Sequence, residues 1–184
     1  IKCLRKKFPK AFIIHLVRDP RDVIASRLKA EWSKSKPLLL HAFLYKVEMR
    51  RFLRYHKKDC LTIRYEKLIT NPQETLQEVN DYIDVQYSSA QLSFQSAAKS
   101  LVSSEEVQWK KETLGPLLKE NSEKWRTELT PQNVKLIDYI CRESIRYWGY
   151  NNSGPFRPSL LMRAVLTIAY HVFAQTYKAR YLLK

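Results

Sequence analysis

The stretch AFIIHLVRDPRDVIASRLK, residues 11–29, decides the fold, because it reads as a buried strand that leads directly into a capped helix. Residues 11–17 are apolar and rich in β-branched side chains, which is typical of a strand inside a parallel sheet. Asp19 stands at the N-cap, Pro20 fits the first helical position, and Asp22 completes a start that resembles a capping box. The free N–H groups and the positive dipole end of such a helix favour an anion.

Two side chains make this prediction more specific. Arg18 leaves the end of the strand with a planar fork of N–H donors, and Ser26 carries a hydroxyl on the second turn of the helix. One phosphate can accept hydrogen bonds from both groups. The alternative is structural, because many α/β proteins end a strand with Arg-Asp-Pro and cap a helix there without binding a ligand.

The motif LVRDPRDVIASR resembles the 3′-phosphate-binding motif of sulfotransferases that use PAPS, 3′-phosphoadenosine-5′-phosphosulfate, as their sulfuryl donor. The sequence RDPR at residues 18–21 is most similar to the corresponding motif of the Golgi carbohydrate sulfotransferases that modify galactose, N-acetylglucosamine or N-acetylgalactosamine. The resemblance implies that PAPS is bound by the following residues: Arg18, Asp19, Pro20, Arg21 and Ser26.

Two downstream segments resemble the same family and follow in the family's order. Cys60–Tyr65 predicts a second buried strand, and Asn71-Pro72-Gln73-Glu74 predicts a capped helix start, which together are similar to the family's Y-E-D-L…N-P-x-x-T-L segment. The resemblance implies that Tyr65 packs against the adenine, while a core tyrosine with a satisfied hydroxyl is the alternative. The segment from Trp125 to Tyr150 resembles the family's closing helix. Thr130-Pro131 predicts the start of this helix, and its apolar residues recur at helical spacing: Val134, Ile137, Cys141 and Ile145.

The expected fold class is α/β, with a P-loop-NTPase-like parallel sheet flanked by helices and incomplete at its N-terminus. A helix predicted over residues 38–58 joins the two strands, so a βαβ crossover should make them parallel. Residues 1–154 are expected to be the C-terminal part of a sulfotransferase domain, and residues 155–184 a basic, partly apolar helical tail. The tail either packs as an extra core helix or lies on an anionic membrane surface.

The amino-acid composition limits the classes of function that this chain can have. The 184 residues are 45% hydrophobic, which is enough for one domain with a core. The 33 basic and 18 acidic residues give a net charge of +15, which indicates an anionic partner. Nucleic acid is not expected, because no RRM, KH or helix-turn-helix pattern accompanies the charge. The three cysteines have no metal-binding spacing and no P-loop occurs, so neither a metal nor a nucleotide kinase is expected.

The resemblance implies transfer of a sulfuryl group from PAPS to a hydroxyl of a carbohydrate, on a glycosaminoglycan or glycoprotein glycan, in the Golgi lumen. The family's 5′-phosphosulfate loop and catalytic base are expected before Ile1. We therefore expect an inactive fragment of a protein whose membrane anchor lies outside this chain. No catalytic residue is assigned, because His15 lies in a predicted buried strand, where histidine usually packs. The alternative is a non-catalytic basic module that binds sulfated glycans or an anionic membrane surface.

Some basic and sulfur-containing side chains carry weaker predictions. Lys110, Lys111 and Lys119 are candidates for the basic loop that folds over the nucleotide in the family. The cationic run over residues 50–58 is interpreted first as a solvated helix end and second as a patch for an acidic glycan. Cys60 and Cys141 are predicted to be small core residues, because each lies on an apolar element.

Overall fold

The structure is a computed structural model that describes residues 2–55, 60–93, 115, 117–118 and 120–182. Its two strands are β1 (Ile13–Val17) and β2 (Cys60–Arg64). In chain order, the helices are α1 (Lys2–Lys7), α2 (Pro20–Lys29), α3 (Leu38–Tyr55), α4 (Tyr65–Thr70), α5 (Pro72–Tyr82), α6 (Trp125–Glu128), α7 (Pro131–Tyr147) and α8 (Leu160–Leu182). A short 3-10 helix covers Ser89–Leu92.

The chain divides into two compact units, of which the first contains residues 1–18 and 56–123. Its strands β1 and β2 pair in parallel, from Ile13 opposite Cys60 to Val17 opposite Arg64, which confirms the predicted parallel sheet. The Tyr82 hydroxyl at the end of α5 accepts a hydrogen bond of 3.2 Å from the backbone N–H of Ile13. Helix α5 is thereby tied to the start of β1.

Strand β1 is less buried than its sequence predicts. Ile14 is 45% exposed and Leu16 52% exposed, while Val17 is buried and His15 half-buried. Because successive side chains of a strand point to opposite faces, Ile14 and Leu16 share one face and Val17 belongs to the other. The prediction of burial on both faces is therefore wrong, since the described residues cover only one of them.

The second unit contains residues 19–55 and 124–184 and is helical. Its core contains Ile24 from α2, Ala42 from α3, and Ile137 and Cys141 from α7, each at most 2% exposed. The apolar spacing predicted for α7 is confirmed, because all four residues of the pattern lie in this core: Val134, Ile137, Cys141 and Ile145. Burial raises the pKa of the Cys141 thiol and keeps it protonated, which fits its predicted place in the core.

The helix ends show which local signals operate. Asp19 caps α2 by accepting a hydrogen bond of 2.9 Å from the backbone N–H of Arg21, and Thr130 caps α7 through the N–H of Asn133 at 3.3 Å. Gly149, with φ of 69°, follows the end of α7 in the left-handed region that favours glycine. Asn71 precedes α5 but its side chain makes no capping hydrogen bond, so the capping predicted there is wrong.

The tail forms α8, which packs in the second unit. Leu166 and Tyr170 are buried in the core, as the packing interpretation predicts for one side of the helix. Exposed apolar side chains lie elsewhere along it, among them Leu161, Val165 and Ile168. Within the described ranges, no helix combines the length and the apolarity needed to span a membrane.

Candidate phosphate-binding site

Arg18 and Tyr65 meet at the carboxyl ends of the two parallel strands. Arg18 directly follows β1 and Tyr65 directly follows β2, and the last residues of these strands are partners in the sheet register. The guanidinium carbon of Arg18 lies 4.4 Å from the centroid of the Tyr65 ring, within the range of a cation–π interaction. The carboxyl ends of parallel strands are where open α/β sheets bind their ligands.

Asn121 joins these two side chains through hydrogen bonds on both sides. Arg18 donates from Nη2 to the carbonyl oxygen of Asn121 at 2.7 Å, and Asn121 donates from Nδ2 to the Tyr65 hydroxyl at 2.7 Å. Both Arg18 and Tyr65 are half-buried, so neither is sealed from solvent. Sequence reasoning missed Asn121, because residues 84–122 show no periodicity or motif that marks this position.

The start of α2 is held by a buried ion pair in the second unit. Arg21 donates from Nε to Asp19 Oδ1 at 2.9 Å and from Nη2 to Asp19 Oδ2 at 2.6 Å. Its Nη1 lies 3.6 Å from Asp138 Oδ1, and its guanidinium carbon lies 4.1 Å from the centroid of the Trp125 ring. Arg21 is only 3% exposed. Two carboxylates and an indole ring therefore fix its side chain inside the unit.

The neighbouring residues of α2 also connect it to the rest of the unit. Pro20 is buried, and Asp22 Oδ1 accepts a hydrogen bond of 3.0 Å from the backbone N–H of Trp125. Ser153 donates to Asp138 from both its backbone N–H and its hydroxyl. The carboxylates of the second unit thus organise the start of α2 and the segment that follows α7.

Ser26 has an exposed side chain on α2. Its hydroxyl makes no hydrogen bond to any residue that the structure describes, so the group is accessible to a ligand. Arg18 belongs to the first unit and Ser26 to the second.

Other candidate groups divide into those described and those outside the described residues. His15 lies half-buried on β1 opposite Thr62. Cys60 is also half-buried and accepts a hydrogen bond of 3.1 Å from Arg5 Nη2. Lys110, Lys111 and Lys119 lie outside the described residues. In the described part of the chain, no three His, Cys, Asp or Glu side chains form a group that could hold a metal ion.

The part of the chain that carries this geometry matches a known protein family. Residues 1–89, just under half of the chain, match the model of a family described as the sulfotransferase family. The matched residues contain β1, β2, Arg18, Ser26 and Tyr65. No protein with a curated description matches the chain.

Solved structures establish the fold. The sulfotransferase domain from the Synechococcus PCC 7002 olefin synthase aligns with 77% of this chain and 50% of its own, at 20% identity and a TM-score of 0.59. The sulfotransferase domain from the curacin biosynthetic pathway aligns with 76% of this chain and 54% of its own, at 18% identity and a TM-score of 0.58.

The fold is that of sulfotransferase domains, a parallel α/β sheet flanked by helices, which confirms the predicted fold class. The sequence pattern of the sulfotransferase family is present in the matched half of the chain. The chain spans about half the length of the two solved structures.

Proposed function

We propose that the protein transfers a sulfuryl group from PAPS to a hydroxyl of a carbohydrate acceptor, and that Arg18 and Ser26 bind the 3′-phosphate of the donor. The observation that carries the proposal is the meeting of Arg18 and Tyr65 at the carboxyl ends of β1 and β2, within the segment that matches the sulfotransferase family. Ser26 is assigned by the sequence motif and by its exposed hydroxyl.

The residues around Arg18 have the chemistry that a phosphate requires. A guanidinium offers two parallel N–H donors to phosphate oxygens, and such charge-assisted bonds contribute about 1.5–3 kcal/mol each. Tyr65 is proposed to pack against the adenine with the part of its ring that Arg18 leaves open. Asp19, Pro20 and Arg21 are proposed to act through the shape of the α2 start, because the Arg21 guanidinium already binds Asp19.

The proposed reaction is one in-line displacement at sulfur. The acceptor oxygen forms a bond to sulfur while the bond from sulfur to the 5′-phosphate oxygen breaks, and the acceptor proton passes to a base. Adenosine 3′,5′-bisphosphate leaves with the electron pair of the broken bond. A fixed 3′-phosphate aligns the donor for this displacement. We assign the base to no residue of this chain.

Binding of adenosine 3′,5′-bisphosphate, measured by isothermal titration calorimetry, tests the anchor. We expect Arg18→Ala to weaken binding at least about tenfold, because one charge-assisted hydrogen bond is lost. Arg5→Ala is the matched control, since Arg5 contacts Cys60 at the opposite end of β2 and the variant loses the same charge. Equal affinity of the wild type and Arg18→Ala would refute the assignment.

Ser26 and Tyr65 are tested in the same titration. Ser26→Ala removes one neutral donor to a charged acceptor and is expected to weaken binding by about threefold to tenfold. Tyr65→Leu is expected to weaken binding of the bisphosphate more than binding of inorganic phosphate, because only the nucleotide has a base to pack. A Tyr65→Leu variant that loses both ligands in the same proportion would mean that Tyr65 only supports Arg18.

The acceptor class requires a transfer assay with the protein. Labelled PAPS is supplied with galactose, N-acetylglucosamine and N-acetylgalactosamine glycans, and with a simple aliphatic alcohol. The carbohydrate assignment, and with it a Golgi lumenal site of action, rests on the RDPR wording, whereas the two structural neighbours come from an olefin synthase and the curacin pathway. Transfer to the aliphatic alcohol alone would replace the carbohydrate assignment.

The rival function is a basic module that binds sulfated glycans without chemistry. Retention on heparin that adenosine 3′,5′-bisphosphate does not reduce, together with no transfer in the assay, would favour this module. The net charge of +15 supports retention under either function, so competition by the nucleotide is the measurement that separates them.

A further inference from the structure

A second basic site lies entirely within the helical unit and contains none of the residues assigned to the nucleotide. Helices α3, α7 and α8 line a partly open cavity of about 150 Å³. Phe43 and Tyr170 belong to its lining and are buried, which gives the cavity an aromatic wall. The sequence motifs gave no reason to expect it, because its residues come from three distant parts of the chain.

Cationic side chains line this cavity. Lys46 and Arg50 reach it from α3 and Arg142 from α7, and the imidazole of His171 lines it from α8. None of its lining residues, all of them in the described part of the chain, is acidic. The carboxylate of Glu143 acts electrostatically on Lys46, but Arg50 already binds it through Nε at 2.7 Å and Nη2 at 2.6 Å. The cavity therefore carries an excess of positive charge.

Among the basic residues of this cavity, Lys46 is the one whose position is least explained by a structural role. Its ammonium lies 4.5 Å from the centroid of the Tyr170 ring, and it makes no hydrogen bond or ion pair to any other described residue. Burial, together with the neighbouring Arg50, lowers the pKa of Lys46, so this charge costs free energy where it stands. Half-buried ammonium groups normally have acceptor partners. An anion in the cavity would supply them.

Arg50 and Thr167 add directed donors to the same space. Arg50 uses three of its five N–H groups on Glu143 and on the Tyr170 hydroxyl, the last at 3.5 Å, which leaves donors for a ligand. The exposed Thr167 side chain lines the cavity from α8. A tetrahedral oxyanion offers acceptor oxygens in several directions and matches donors that converge from three helices.

We propose that this cavity is a binding site for a single tetrahedral oxyanion, a sulfate or a phosphate that is either free or esterified to a small sugar. Its volume of about 150 Å³ suits a small ligand, because pockets for drug-sized ligands have roughly 300–1,000 Å³. The site goes beyond the proposed sulfuryl transfer and does not depend on it.

The test is a titration of the wild-type chain with sodium sulfate at constant ionic strength, repeated with the single variant Lys46→Met. This substitution removes the ammonium and keeps an unbranched side chain beside Tyr170. We expect sulfate binding to weaken at least tenfold. Lys135→Met is the matched control, because Lys135 is exposed on the same helix, α7, that carries Arg142 and loses the same charge outside the cavity. We expect that control to change binding less than twofold.

Two further measurements separate a binding role from a structural one. In the absence of sulfate, Lys46→Met is expected to unfold at the same temperature as the wild type or above it, because a poorly solvated charge is removed. Arg142→Gln, a second variant on the exposed rim, is expected to weaken sulfate binding several-fold. The Arg50 Nε–H signal in a proton–nitrogen correlation spectrum should shift on addition of sulfate to the wild type.

Each outcome bears on the proposal. No sulfate binding by the wild type, or equal losses in Lys46→Met and Lys135→Met, would overturn it, since the anion would then sense only the overall charge. Titration with N-acetylglucosamine 6-sulfate and inorganic phosphate identifies the source of the oxyanion. Tighter binding of the sugar sulfate than of either inorganic ion assigns the site to sulfate esters, and equal or weaker binding assigns it to free anions.

Discussion

At the scale of single residues, the two arginines of the RDPR segment have opposite surroundings. Arg18 is half-buried and contacts a tyrosine ring and a backbone carbonyl. Arg21, three positions later, is buried between Asp19, Asp138 and Trp125. Position relative to the helix start decides the difference, because Arg18 precedes the N-cap and Arg21 lies in the first turn. The same side chain thus stabilises the fold at position 21, whereas at position 18 it is half-buried and is proposed to bind the donor.

We predict that Arg21→Met strongly destabilises the protein. The variant leaves the buried carboxylates of Asp19 and Asp138 without their cation, and breaking a buried pair costs about 3–5 kcal/mol. The thermal midpoint, followed by circular dichroism, should fall by about 10 °C for a chain of this size. Arg50→Met is the matched control, because the Arg50–Glu143 pair is nearly half exposed and such pairs contribute about 0–1 kcal/mol. Equal losses in the two variants would contradict the role of burial.

We expect the stability of the protein to depend on pH through the buried side chain of His41. The side chain is 2% exposed on α3, and burial lowers its pKa below the ordinary value of 6.5. The unfolded chain therefore takes up a proton near pH 6.5 while the folded chain does not. Stability is present above pH 6.5 and is lost as the pH falls through the lowered pKa.

His41→Gln, which stays neutral, isolates this contribution. Between pH 7.5 and pH 5.5 the wild type should lose up to about 1.4 kcal/mol more free energy of unfolding than the variant, which corresponds to about 3–6 °C. Thermal unfolding of both proteins across this range measures the difference. Parallel curves would mean that His41 has the same proton affinity in the folded and the unfolded chain.

At the scale of secondary-structure elements, the sequence predicts those features that short local patterns determine. The N-caps Asp19 and Thr130, the parallel pairing of β1 with β2, and the apolar stripe of α7 follow from short patterns and are confirmed. Two partners of Arg21, Trp125 and Asp138, are not accessible to such reasoning, because they lie more than 100 residues away. Asn121 and the exposed face of β1 escape it for the same reason: both depend on which distant segments are neighbours.

Two helix caps that look alike in sequence should differ in energy. Thr130 accepts a hydrogen bond from Asn133, so Thr130→Ala should cost about 1 kcal/mol. The Asn71 side chain makes no such bond at α5, so Asn71→Ala should cost only a few tenths of that. Urea denaturation of both variants, with unchanged slopes, gives the comparison. An Asn71→Ala loss as large as that of Thr130→Ala would mean that Asn71 caps α5 in solution.

At the scale of the whole molecule, the surplus of basic residues causes repulsion that bound anions would reduce. The 33 basic and 18 acidic residues leave +15, and like charges destabilise the compact state by mutual repulsion. Surface ion pairs such as Lys29–Glu128 and Lys34–Glu31 oppose this only weakly, because their lysines are more than half exposed. An anionic donor and an oxyanion in the helical unit would both reduce the repulsion.

The salt dependence of the thermal midpoint distinguishes repulsion caused by the net charge from attraction within the surface ion pairs. Raising sodium chloride from 0.01 M to 0.15 M shortens the Debye length from about 30 Å to about 8 Å. If repulsion dominates, the thermal midpoint should rise by a few degrees, because distant like charges are screened first. If the surface pairs dominate, it should fall, since salt weakens them too. We expect the rise, and we expect Lys135→Met to show a smaller rise than the wild type, because one exposed charge less contributes to the repulsion. A flat or falling midpoint would show that the excess charge is balanced within the fold, and an anionic partner would then have no repulsion to relieve.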